Sequence, residues 1–236
     1  IAKNQRLKKI ILFGNLNAEN FIKKIVKKDH FYESELYFNK KIIKIKTKDK
    51  TIHRLKNLLF VLAFFKENKI NINIIKKNYQ NLKPVVGRGR VYNLKINKLN
   101  LRLIDESYNA NPETMKQSIE YFYQLDSSNK KKIIIIGNMN ELGAKSIQYH
   151  YEVLKFIEKF IFYKVILCGK IFKSAAKKIV NPNNKFIYKQ NSDKLLNYIN
   201  DQIHNNAIIM IKCSNNTEVN KFTNILLSKH NKRSKF

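Results

Sequence analysis

A chain of 236 residues with 44% hydrophobic and 11% aromatic side chains can bury a substantial core, which excludes a disordered chain. No apolar run approaches the roughly 18–20 residues that cross a bilayer, so no membrane insertion is expected. The formal net charge of +30, from 47 Lys+Arg against 17 Asp+Glu, speaks to solubility and non-specific attraction for polyanions, not to fold.

In chain order, Ile10 to Phe13 ending at Gly14 reads as a buried strand and turn. Glu19 to Lys28 carries Phe21, Ile22, Ile25 and Val26 at helical spacing and is expected to be a helix. Glu35 to Lys48 alternates like one or two strands, with a possible turn at Asn39-Lys40. Leu55 to Asn68 places Leu55, Leu58, Leu59, Leu62 and Phe65 on one helical face, and a second helix is expected from Ile72 to Leu82, stopping before Pro84. Residues Pro84 to Arg90 (PVVGRGR) hold one of three prolines and two of six glycines, the composition of a linker. Val91 to Ile96 and Leu99 to Ile104 read as a hairpin turning near Asn97-Lys98, followed by a helix from Pro112 to about Leu125. Ile133 to Ile136 with Gly137 has the continuous apolar character of a central parallel strand. Helices at 147–160, 171–179, 193–203 and 218–227 then alternate with strands at 164–168, 185–188 and 207–212.

Strands alternating with helices of this length imply an α/β fold with a mostly parallel sheet covered on both faces. In such sheets ligands sit beyond the carboxyl ends of the strands. The polar clusters fall there: Asp105 to Asn111, Asn138 to Gly143, Gly169, and Ser214 to Asn216. The two cysteines, Cys168 and Cys213, lie far apart without CxxC spacing and read as buried thiols of a cytosolic protein. The chain begins at Ile1 and not Met, which points to a missing front part. Lysine is spread along the chain with Ile and Asn, as in residues 40–50 (KKIIKIKTKDK). That is the pattern of drift toward AT-rich codons, whereas a nucleic-acid site gathers charge and aromatic readers on one face. No specific nucleic-acid partner is therefore expected.

The most specific stretch is Ile104-Asp105-Glu106-Ser107-Tyr108-Asn109-Ala110-Asn111-Pro112. An apolar strand delivers a carboxylate, a hydroxyl, a phenol and two amides into one turn, and Pro112 opens a helix with Asn111 as its cap and Thr114 in the first turn. Capping alone explains part of this, but the polar groups outnumber what a cap needs. The wording resembles the D-[DE]-S-Y-N-A-N-P signature of the Mur ligase family. Gly87-Arg88 upstream is similar to the family's GR pair between central and C-terminal domains. Gly137-Asn138-Met139-Asn140-Glu141-Leu142-Gly143 with Ser146 and His150 resembles G-D-M-x-E-L-G-x-x-S-x-x-x-H, and His53 with Asn57 resembles H-N-x-x-N.

The resemblance implies the end of a central ATP-binding domain over residues 1–83 and a Rossmann-like C-terminal domain over 84–236. It implies a monomeric, cytoplasmic, ATP-dependent acid–amino-acid ligase of peptidoglycan synthesis, with Mg²⁺ ligands mainly upstream. Its substrates would be UDP-N-acetylmuramoyl-tripeptide and D-alanyl-D-alanine, joined through an acyl phosphate. Carried over residue by residue, Asn57 would contact adenine, Arg88 the phosphates and Asp105 the ribose hydroxyls, a pairing of guanidinium with phosphate and carboxylate with diol that is chemically sound. Tyr108, Asn109 and Asn111 would shape the nucleotide edge. Asn138, Glu141, Leu142 and Gly143, with Ser214 and Asn215, would form the amine-substrate side. No catalytic side chain is assigned, and His53 and His150 are read as structural.

The departures are specific. No GxxxxGK[ST] phosphate loop is present, so the chain is expected to be inactive alone. Asn138 stands for the family's Asp, Arg54 for an Asn, and Lys212-Cys213-Ser214-Asn215-Asn216 for K-G-S-R-S, losing an arginine fork at Asn215. A degenerate, non-catalytic ligase remnant and a basic nucleic-acid-binding module are the alternatives.

Overall fold

The computed structural model describes residues 11–14, 18–47, 52–96, 99–125, 130–203 and 206–233, and the chain divides into two compact units, Ile1–Lys83 and Pro84–Phe236. The first unit is a four-stranded sheet in sequential order: β1 (Phe13–Gly14), β2 (Asn20–Lys27), β3 (Tyr32–Phe38) and β4 (Lys41–Thr47). β1 runs parallel to β2 and the other pairs are antiparallel. Asn39 and Lys40 have φ of 50° and 59°, the left-handed pair that a tight two-residue hairpin turn requires. Helices α1 (Ile52–Glu67) and α2 (Asn73–Asn78) follow. Leu55, Leu58, Leu59 and Leu62 of α1 pack on Leu36, Ile43 and Ile45, each such burial contributing roughly 1.5–3 kcal/mol relative to exposure. Ile10 and the Asn97-Lys98 turn lie outside the described residues, as does the side chain of His53.

The helix expected over Glu19 to Lys28 is a strand, β2. The register against β3 slips between Ile22 and Lys24, so one extra residue is accommodated and the alternation changes phase. Ile22 and Ile25, three apart, therefore both pack against the core of this unit, which counterfeits helical spacing. A bulged strand and one helical turn place the same residues on one face, and the β-branched content here favours the strand.

The second unit is a six-stranded sheet, ordered β5-β6-β10-β7-β8-β9. Its strands are β5 (Arg90–Ile96), β6 (Leu99–Glu106), β7 (Lys131–Gly137), β8 (Lys164–Cys168), β9 (Phe186–Lys189) and β10 (Ala207–Lys212). Only the β5–β6 edge hairpin is antiparallel; every other pair is parallel. Helices α3 (Pro112–Gln124), α4 (Ser146–Ile157) and α5 (Lys170–Ala176) cover one face, with Met115, Ile119, Phe122, Val153, Leu154 and Phe172 buried against Ile134, Ile136 and Met210. On the other face α6 (Ser192–Gln202) and α7 (Glu218–Arg233) bring Leu195, Ile199, Val219 and Phe222 onto Ile133, Ile135 and Ile211. Strands β7 and β10 are covered on both sides, which is why their sequences are continuous apolar runs instead of alternating ones. The α/β fold with a mostly parallel, doubly covered sheet is the one the sequence implied.

Cys168 and Cys213 are both buried, and burial pushes each thiol up to about 12, so neither is an ionised nucleophile near neutral pH. Among the described residues no helix is long and apolar enough to cross a membrane.

Candidate functional site

The carboxyl ends of β6, β7, β8 and β10 lie side by side, so the loops that leave them meet. The turn after β6 is held by Asp105, which has no exposed surface. Its Oδ1 accepts from the Ser107 amide (3.1 Å) and hydroxyl (2.6 Å), and its Oδ2 accepts from the Gly87 amide at 2.9 Å. Gly87 has φ +76°, and a Cβ there would stand 2.7 Å from Tyr108 Cβ. Only glycine lets the 85–89 turn close over Tyr108. Arg88 follows directly, exposed, its guanidinium 4.5 Å from the centroid of the Tyr108 ring.

The Asp105 carboxylate is enclosed and both oxygens accept protein hydrogens, so it organises the Gly87 turn. Beside it, Glu106 points to the opposite face of the sheet and pairs with Lys212 across adjacent strands, Nζ to Oε2 at 3.0 Å. Lys212 also donates to the Asn109 carbonyl at 2.9 Å. Sequence reasoning passed over this buried pair.

Asn111 caps α3: its Oδ1 accepts from the Thr114 amide at 2.8 Å, while Thr114 Oγ1 accepts from the Asn111 amide at 3.1 Å. The reciprocal box satisfies two otherwise orphaned donors.

The loop after β7 is tied to the loop after β10. The Ser214 amide donates to the Asn138 carbonyl at 3.1 Å, and Ser214 Oγ accepts from the Asn140 amide at 3.0 Å. Ser214 Oγ in turn donates to the Ala110 carbonyl at 3.3 Å, and the Asn215 amide donates to the Tyr108 carbonyl at 3.0 Å. Asn140 Nδ2 reaches the Asn215 carbonyl at 3.2 Å, and Asn220 Nδ2 the Ser107 carbonyl at 2.8 Å. Tyr108, Asn109, Asn111, Asn138, Ser214 and Asn215 thus belong to one laced rim. Glu141 and Gly143 sit exposed at its tip with φ of 62° and 57°, and Leu142 between them is half-buried. Asn57 belongs to the first unit, exposed on α1. Asn220, on α7, was missed, and Asn140 was read only as part of the 137–143 motif, because an asparagine carries no sequence mark of the carbonyl it reaches.

His150 fixes the base of the rim. Its Nε2 accepts from the Met139 amide at 3.0 Å and its Nδ1–H donates to the Ser146 carbonyl at 2.7 Å, so the ring is neutral. Burial lowers its pKa, opposed in part by the Ser146 bond. The unfolded chain takes up this proton near pH 6.5 and the folded one does so only lower, so the stability this histidine contributes is full above about 6.5 and falls as the pH drops below it. The urea midpoint measured between pH 8 and 5 should fall more steeply for the parent than for His150→Gln, whose amide oxygen can still accept from Met139. Parallel curves would remove the effect.

The profile of the family described as Mur ligase, glutamate ligase domain, matches residues 89–215, which takes in most of this rim. The chain belongs to the Mur ligase family. Among curated proteins it is 30% identical over 223 residues to the UDP-N-acetylmuramoyl-tripeptide–D-alanyl-D-alanine ligase of Rickettsia prowazekii, covering 94% of this chain and 48% of that relative. It is 32% identical over 101 residues to the ligase of the same name from Escherichia coli K12, covering 43% of this chain and 21% of that one. Mur ligases of known structure share its fold. The MurF ligase of Thermotoga maritima in complex with ADP superposes with a TM-score of 0.73 at 19% identity, over 94% of this chain and 49% of that one. A MurF from Acinetobacter baumannii gives 0.74 at 19%, over 92% and 46%. The chain spans about half the length of the curated relatives that it matches over most of its own length. Among the described residues no group of three or more His, Cys, Asp or Glu could hold a metal ion.

Proposed function

We propose that this chain is the carboxy-terminal part of a cytoplasmic, ATP-dependent Mur ligase that joins D-alanyl-D-alanine to UDP-N-acetylmuramoyl-tripeptide. The carrying observation is the lacing of the 107–111 turn, the 138–143 loop and the 213–216 loop at the carboxyl ends of parallel strands. In the reaction a substrate carboxylate takes the γ-phosphoryl group of ATP, releasing ADP. The amine then attacks the acyl phosphate, and phosphate leaves as the amide forms. Arg88 is the residue here suited to phosphate, because an exposed guanidinium presents a fork of donors. Asn57 would take the adenine and Tyr108, Asn109 and Asn111 the nucleotide edge, with Asp105 positioning Gly87 and so Arg88. Asn138, Glu141, Leu142, Gly143, Ser214 and Asn215 would receive D-alanyl-D-alanine. Mg²⁺ would be held by residues outside this set, since the described residues offer no group of ligands that fits it.

Unit 1–83 would be the end of the central ATP-binding domain. In support, α1 carries large apolar side chains on its outer side too: Phe60 and Phe64 are 57% and 54% exposed on the side away from its leucines. That is the composition of a helix meant for a larger core.

A second reading, a ligase remnant without catalysis, draws on two facts. Asn138 Oδ1 is buried without a partner, and Asn215 Oδ1 accepts from the neighbouring Asn216 amide where the family has an arginine. One assay decides between them. The chain alone should release no ADP from ATP. Joined to the in-frame sequence upstream, it should release ADP only with both the tripeptide nucleotide and D-alanyl-D-alanine present, and Arg88→Ala should lower kcat/KM on the order of 100-fold. Absence of amide product from the joined protein would establish the remnant, and an unaffected Arg88→Ala enzyme would remove the phosphate assignment.

A further inference from the structure

The amino ends of β7, β8 and β9, opposite the rim, carry a second chemical feature on the face covered by α6. A cavity of about 430 Å³ is lined by Phe162, Tyr163, Lys164, Lys185, Ile187 and Tyr198, within the size range of small-molecule sites. Lysines converge on its two tyrosines. Lys131 Nζ stands 4.5 Å from the Tyr163 ring centroid and donates to its hydroxyl at 3.3 Å. Lys189, at the carboxyl end of the four-residue strand β9, has its Nζ 4.0 Å from the Tyr198 ring. Lys164 Nζ donates to the Tyr198 hydroxyl at 3.2 Å and to the Gln202 carbonyl at 3.0 Å.

Among the described residues, none of Lys131, Lys164, Lys185 and Lys189 is ion-paired with a carboxylate. Lys164 and Lys185 line the cavity and Lys131 and Lys189 stand over the rings of its tyrosines, so an anion bound there would meet positive charge that no described carboxylate neutralises. The lysine that is evenly spread along the sequence is thus locally concentrated in space. Phe162, Ile187 and Tyr198 pack into the core as well, but Tyr163 is 43% exposed and Tyr198 half-buried, so bare phosphate would use the ammonium groups and leave that ring surface untouched. A ligand with a flat apolar body and an attached phosphate uses both, the combination of cationic groove and aromatic platform on which nucleotides are held without sequence reading.

We propose that this cavity is an accessory site for a nucleotide unit, a base with its phosphate, separate from the rim at the other end of the sheet and independent of the ligase reading. The unit could come from a free nucleotide or from a single strand, and the two probes below separate them. Fluorescence anisotropy with labelled oligothymidylate and with labelled AMP should be followed near physiological salt, in an Arg88→Gln background so that the rim does not contribute. The paired variants Lys164→Gln/Lys189→Gln and Lys131→Gln/Lys185→Gln should each weaken the bound probe about tenfold. With the oligonucleotide they should also flatten the salt slope by about 0.7 per lysine removed. Lys76→Gln/Lys77→Gln on α2 removes the same charge elsewhere and should change affinity less than about twofold. Two independent cluster pairs guard against one of them failing to fold. AMP binding identifies a free nucleotide; binding of the oligonucleotide alone identifies a strand. Equal losses in cluster and control variants, unchanged binding in both cluster variants, or no saturable binding of either probe overturns the proposal.

Discussion

Gly137→Ala should destabilise the second unit at or above the upper end of the roughly 1–3 kcal/mol that overpacking costs. Gly137 ends β7, and a Cβ there would lie 2.7 Å from Val219 Cγ2, 2.8 Å from Val219 Cβ and 2.9 Å from Cys213 Cβ. Two of those atoms are attached directly to backbone, so rotating a side chain cannot clear them; α7 must lift or β10 must shift. Both movements pass straight into the rim, because Ser214 and Asn215 follow Cys213 and Asn138 follows Gly137. Gly143→Ala is the internal comparison: nothing lies within 4 Å of its Cβ position, and only its φ of +57° opposes the change, a cost of about 1–2 kcal/mol. Urea unfolding of both variants gives the ranking. Val219→Ala should recover part of the Gly137→Ala loss, since it removes the nearest atom, and a double-mutant cycle would show that coupling. A Gly137→Ala midpoint within error of the parent would mean that helix and sheet are not in contact at this point.

The period of apolar residues was enough to place the strands of the second unit, and every helix but α7, within about three residues, because β7, β8 and β10 are sandwiched and their runs are unbroken; α7, expected to end at Leu227, runs on to Arg233. The capped start of α3 was equally legible, since Asn111, Pro112 and Thr114 are a local code. The first unit was harder: Phe21, Ile22, Ile25 and Val26 satisfy both a helix and a bulged strand, and only pairing with β3 decides between them. At the site, the sequence reading ended the strand at Ile104 and so did not show that Asp105 and Glu106, both inside β6, face opposite sides of the sheet. Asp105 follows Leu101 and Leu103 toward α7, while Glu106 follows Ile104 toward α3. Nor could it show that β10 inserts between β6 and β7, which is what brings Lys212 to Glu106 from 106 residues away. Residue types survive in a sequence; strand order and the direction of a terminal side chain depend on partners far along the chain.

Lys212→Met should cost on the order of 3–5 kcal/mol, the penalty for removing one partner of an enclosed ion pair. Lys212 and Glu106 have side-chain exposures of 5% and 19%, so solvent can do little to hydrate the carboxylate left behind. The substitution also strips the Asn109 carbonyl of its donor, a smaller loss because Asn109 is exposed and water can replace the ammonium group. Glu106→Gln should cost less, because the amide oxygen still accepts from the ammonium group. Lys212→Met with Glu106→Leu should regain much of the single-variant loss, since an apolar pair of similar volume carries no unpaired charge. Stability by urea and amide exchange at Tyr108 and Thr114 would separate two effects: a global loss, and a local loosening of the 107–111 turn even where the unit stays folded. The expected pattern is faster exchange at both amides in Lys212→Met and in the double variant, because neither restores the bond to the Asn109 carbonyl. Parent-like exchange in the double variant would mean that the turn is held by its own cap and by Ser214, with Lys212 serving only to neutralise Glu106.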